Sequence, residues 1–69
     1  MPLTMAKAGE CNYIKRITGK DEIRSHLANL GFVVGEPVTV VSDNSGNLIL
    51  NIKNTRIALD KAMASRILV

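Results

Sequence analysis

Cys11 and His26 are the side chains best suited to a soft or borderline metal ion, and the sequence holds one of each. A closed structural zinc site uses four ligands, with cysteine or histidine in close pairs. One cysteine and one histidine fifteen positions apart fall short of that, so neither is assigned as a ligand. Cys11 reads instead as a small strand residue, and His26 as a half-buried helix histidine bordering an apolar face. Carboxylates offer the next chemistry, but general acid–base work needs a cleft that moves their pKa values apart. Asp21, Glu22 and Asp60 stand where helices are expected to begin, and capping and the helix dipole account for them there. Ser25, Ser42, Ser45 and Ser65 have no nucleophile context, and no phosphate-cradling glycine loop precedes a helix. The residues supply no catalytic, metal or cofactor-binding set, so the expected class is not an enzyme.

What remains is contact. Phe32, Val33 and Val34 are three consecutive apolar residues in a turn, and alternation cannot bury all of them. Arg24, Ser25 and Ala28 lie on the outer face of the preceding helix and are small or polar. An apolar patch with a polar rim has the character of a protein interface. Arg24, Phe32, Val33 and Val34 are therefore the expected partner-binding residues.

The stretch that must position them is residues 23–41. Ile23, Leu27 and Leu30 recur at i, i+4 and i+7, one face of a helix. Gly31 follows at the position where a helix ends in the left-handed region, and Phe32 has the spacing from Leu27 of a Schellman contact. Gly35-Glu36-Pro37 reverses the chain, and Pro37 suits the first residue of a strand. Val38 and Val40 then alternate with Thr39 and Val41 at the period of a strand.

Around this unit the chain reads as short strands. Residues 1–8 form an arm or short edge strand. Residues 10–18 form a strand in which Ile14 and Ile17 break the alternation, which predicts a bulge or bend near Lys15-Arg16. Asp21 is the expected helix N-cap. A strand over 38–42, a turn over 43–47 and a strand at 48–53 make a hairpin. Asn54-Thr55 is a second turn before a strand at 56–59 with Ile57 and Leu59 inward. Asp60 caps a helical turn through Ala64. Ile67, Leu68 and Val69 finish as an apolar strand that closes a barrel against the first one. The fold class is mainly β: a small five-stranded barrel with one short α-helix and a short helical turn near its C-terminal end.

Composition supports one domain. A chain of 69 residues hides only about 60% of its unfolded surface, so nearly every large apolar side chain must go inside. Tyr13 and Phe32 are the only aromatics, which makes the core aliphatic and argues against a base-stacking platform. Met5 and Met63 read as core filler. A net charge of +3 without a run of like charge suits solubility and does not call for nucleic acid. A lone cysteine excludes an intramolecular disulfide and fits a reducing compartment. No apolar run approaches the ~18 residues of a membrane span. The expected location is cytoplasmic, with any membrane role reached through a partner.

The chain resembles the ferrous iron transport protein A (FeoA) family along nearly its whole length. The residues that carry the resemblance are Gly9, Ile14, Ile17, Gly19, Leu27, Leu30-Gly31, Gly35, Val38, Val40, Ile57-Ala58-Leu59, Ala62, Ile67 and Val69. The segment LANLGFVVGEPVTVV is the most specific part. The resemblance implies an SH3-like small β-barrel, a domain shape also found at the C-terminal end of some iron- and manganese-dependent repressors. It further implies an accessory protein of ferrous iron uptake acting on the membrane permease that carries a GTPase domain. It supplies no catalytic residues. Transition-metal binding is attached to the family, but no ligand cluster here matches it, and the family's arginine cluster before the first core leucine is reduced to Arg24. Two other classes fit parts of the pattern. Gly35-x-x-Val38-x-Val40 is similar to the KOW motif of nucleic-acid-binding barrels, which salt-dependent RNA binding would reveal. A metal-sensing module would retain metal through desalting.

Overall fold

Residues 1–69 are described by a computed structural model. In chain order the elements are a 3-10 turn at Leu3–Met5, β1 (Cys11–Tyr13), β2 (Arg16–Ile17), α1 (Asp21–Asn29), β3 (Pro37–Asn44), β4 (Asn47–Ile52), β5 (Thr55–Asp60), α2 (Lys61–Ala64) and β6 (Ile67–Leu68). β1, β3, β4 and β5 form an antiparallel sheet in that order, and β2 pairs with β6 in a second one. The single strand expected over 10–18 is thus two, giving six strands rather than five. The break falls between adjacent residues: Ile14 N–H donates to Glu36 O at 3.0 Å, whereas Lys15 N–H donates to Leu68 O at 2.8 Å. The bend foreseen near Lys15-Arg16 is where the chain passes from one sheet to the other.

Alternation decides what faces inward. Val38 faces Ile52 and Val40 faces Leu50 across the β3–β4 ladder, all four buried, and Leu48 on β4 is buried beyond them. Leu59 continues the row on β5. The register slips between Val40 and Ser42, so Val41 is bulged out of the pairing. Leu27, Phe32, Leu3, Ile14, Ala64, Ile67 and Val69 complete the interior, and no polar side chain is buried. Met63 packs against this core from a half-buried position, whereas Met5 is 69% exposed and fills nothing.

The helix ends as its spacing predicts. Gly31 has φ +106, its N–H donates to Ala28 O at 2.9 Å, and the Phe32 N–H donates to Leu27 O at 2.9 Å. Those two bonds make a Schellman stop. The beginning of α1 differs from expectation. Lys20 occupies the cap position with no side-chain bond, and Asp21 is the first helical residue, its carboxylate taken by Arg24. At α2 the expected cap forms, with Met63 N–H donating to the Asp60 carboxylate at 2.7 Å.

The first hairpin turn is tighter than the sequence suggests, and the second is shifted by one residue. β3 and β4 pair out to Asn44 and Asn47, leaving two residues, Ser45 and Gly46. Ile52 pairs with Thr55, so the second turn is Lys53-Asn54 rather than Asn54-Thr55. Lys53 at φ 51 and Asn54 at φ 63 have the signature of a type I′ turn. The chain closes on itself where Val69 N–H donates to Met1 O at 2.7 Å and the Met1 ammonium donates to Val69 O at 2.7 Å.

Candidate functional site

The loop between α1 and β3 is held down at one point. Gly35 N–H donates to Ile14 O at 2.8 Å, and Glu36 O accepts from the Ile14 N–H at 3.0 Å. A further bond, Glu36 N–H to Val33 O at 3.1 Å, folds the loop into a turn. Gly35 has φ +91, a conformation an L side chain adopts poorly. This latch fixes the loop against β1 and leaves Val34 66% exposed.

The four expected contact residues separate into three environments. Phe32 is fully buried beneath the helix stop and belongs to the core, not to a surface. Val33 is half-buried and Val34 points into solvent. Arg24 stands on the outer face of α1, where it lines a shallow depression with Asp21, Ser25 and Ala28. Its guanidinium engages the exposed Asp21 carboxylate, an arrangement worth little in water. No loop residue lines that depression.

Tyr13 was not foreseen as a surface residue. It is 66% exposed on β1, its Cα partner across the ladder is the exposed Pro37, and its neighbour Ile14 carries the latch to Gly35. The signal for it lay in the broken alternation at Ile14: with Ile14 inward, Tyr13 must face outward. Val34, Tyr13 and Pro37 therefore flank the latch as exposed apolar side chains, with Lys15 and Arg16 exposed just beyond. The aromatic count on the surface is one, since Phe32 is inside, which is too few for a stacking platform.

Metal ligation has no donor set. Cys11 is exposed on β1, in an open polar depression with Thr39, Asn51 and Lys53. His26 is exposed on α1 rather than half-buried, because it falls outside the stripe that Leu27 leads inward. No three His, Cys, Asp or Glu side chains gather anywhere in the fold. The residues present do not fit a resident metal ion. No helix is long and apolar enough to cross a membrane.

Comparison with known proteins gives a consistent set. A family model described as the FeoA domain matches residues 1–69. A candidate Fe(2+) transport protein A from Methanocaldococcus jannaschii is 29% identical over 68 residues, spanning 99% of this chain and 83% of that protein. The solution structure of iron(II) transport protein A from Clostridium thermocellum superposes with TM-score 0.90 at 31% identity, over 99% of this chain and 43% of that one. The zinc-complexed FeoA of Stenotrophomonas maltophilia, described as a prokaryotic SH3 domain protein, superposes with TM-score 0.87 at 28% identity, over all of this chain and 88% of that one. A manganese-dependent transcriptional repressor shares the fold at TM-score 0.89 and 17% identity, over 97% of this chain and 39% of that one.

Proposed function

This chain belongs to the FeoA domain family, and from that premise we propose that it serves ferrous iron transport as a non-catalytic accessory protein in the cytoplasm, acting by contact with a membrane permease that carries a GTPase domain. The S. maltophilia relative, described as a candidate ferrous iron transport activating factor, supports the accessory role. Iron is then the cargo of the system rather than a resident cofactor of this chain, which agrees with its lack of a donor set.

One observation carries the mode of action: a domain of 69 residues that needs its apolar side chains inside holds Val34 out at 66% exposure, on a loop latched in place. Val33 and Val34 form the apolar contact, and Arg24 is a peripheral polar contact on α1. The latch spares the partner the entropy of ordering the loop, which costs roughly 1–2 kcal/mol per residue fixed. Calorimetric titration of the permease's cytoplasmic domain tests this. Val34→Asp weakens binding and leaves the melting temperature unchanged, and Arg24→Glu weakens it less and in a salt-dependent way. Binding of Val34→Asp as tight as the parent's removes the loop from the interface.

A further inference from the structure

β5 is the open edge of the four-stranded sheet: β4 pairs with it along one side, and no strand pairs with the other. The ladder fixes which backbone groups face outward. Lys61 N–H donates to Gly46 O at 3.0 Å, so counting back along an antiparallel strand turns Leu59, Ile57 and Thr55 toward β4. Arg56, Ala58 and Asp60 present their N–H groups to the free side, and Arg56 and Ala58 present their carbonyls there as well. The Asp60 carbonyl belongs to α2, whose cap position Asp60 occupies. Arg56, Ala58 and Asp60 are all exposed.

Edge strands are commonly guarded by charged side chains, proline or a bulge; β5 (sequence TRIALD) has neither proline nor bulge, and its charges do not repel a copy of itself. Its two charges are opposite in sign and symmetric about Ala58. We infer that β5 is a self-complementary edge that pairs antiparallel with β5 of a second copy about a two-fold axis through Ala58. In that register Ala58 N–H donates to the Ala58 carbonyl of the second copy, and its own carbonyl accepts the reciprocal bond. Asp60 N–H donates to the Arg56 carbonyl of the second copy, again reciprocally. These are the groups that the fold leaves free. Arg56 lies directly across from Asp60 of the second copy, twice per dimer, where opposite charges in register favour pairing. The Asp60 carboxylate keeps one oxygen for Met63 N–H and offers the other to the guanidinium. The sheet becomes eight strands across the dimer, and the isologous contact closes on itself without propagating.

Sedimentation velocity on the whole protein over a wide concentration range tests the association. The parent shifts with concentration from the 7.5 kDa monomer toward twice that mass. Arg56→Glu sets like charges against Asp60 and lowers the association constant about tenfold or more, with an unchanged melting temperature at low concentration. A parent monomeric at every concentration, or a dimer that Arg56→Glu leaves intact, overturns the inference. The register has its own test. In a Cys11→Ser background, Ala58→Cys crosslinks under air oxidation, because facing hydrogen-bonded Cα atoms about 5.5 Å apart suit a disulfide. Arg56→Cys in the same background does not, since its counterpart lies roughly 14 Å away along the strand. Absence of the Ala58→Cys crosslink, or equal crosslinking of both variants, overturns the two-fold register.

Discussion

Phe32 donates its N–H to the Leu27 carbonyl at 2.9 Å across Gly31, and the side chains of the same two residues are both fully buried. The end of the helix and the centre of the core are therefore one arrangement. Leu27 is the only residue of α1 that is fully buried, so it anchors the helix to the barrel. Leu27→Ala should cost roughly 2–5 kcal/mol, against a total stability of about 5 kcal/mol for a domain of marginal size. Thermal melting checks this, and a transition within a few degrees of the parent's would refute the role given to Leu27.

Gly31 separates strain from clash. A Cβ built there would meet the Lys53 Cδ at 3.6 Å, an ordinary contact, while φ stands at +106. The cost of Gly31→Val should thus be backbone strain, more than about 1 kcal/mol, and shortening Lys53 should not relieve it. Denaturant unfolding of Gly31→Val with and without Lys53→Ala distinguishes the two sources.

Lys53-Asn54 is a type I′ turn made without glycine. Asn-Gly is the favoured pair for that geometry, so the double variant Lys53→Asn, Asn54→Gly should raise stability by about 0.5–1 kcal/mol, or several degrees in melting temperature. A lowered melting temperature would show that the turn is not of this type.

Two aspartates near helix starts should behave differently. Asp60 accepts from Met63 N–H at 2.7 Å, and Asp60→Ala should cost about 1 kcal/mol. Asp21 caps nothing and holds only the exposed Arg24, so Asp21→Ala should stay within about 0.5 kcal/mol of the parent. Equal losses for the two would contradict the cap assignment.

Cys11 and His26 lie exposed with no third ligand. The purified protein should hold no stoichiometric metal after chelation and desalting, by elemental analysis. One retained equivalent that disappears in Cys11→Ser or His26→Ala would disprove this.

Much of the arrangement was legible in the residues because each cue was local. Leu27, Gly31 and Phe32 announce a Schellman stop by spacing alone. Val38, Val40, Leu48, Leu50 and Ile52 announce their buried face by alternation. The misplaced features all turn on interactions that spacing does not encode. Asp21 is displaced from the cap because the helix starts one residue earlier than its side chain suggests, and Lys53 tolerates a positive φ only because β4 and β5 pull the turn tight. The contact surface was harder still. Phe32, Val33 and Val34 are an unbroken apolar run; the helix stop takes Phe32 inside, and the latch from Gly35 to Ile14 holds Val34 out. Tyr13 emerges as their neighbour for the same reason.

The passage of the chain from β1 to β2 has a kinetic meaning. β3, β4 and β5 are joined by two-residue turns, so their ladders need little loop closure and can assemble early. The β2–β6 pair instead unites Ile17 with Ile67, fifty positions apart (67 − 17), through only two residue pairs. That seam should form after the hairpins and be the first to open. Amide hydrogen exchange at Lys15 and Thr18, whose N–H groups bond Leu68 O and Arg66 O, would then report a local opening well below the global unfolding free energy. The interior of this small barrel would breathe along a single line, where the two ends of the chain meet.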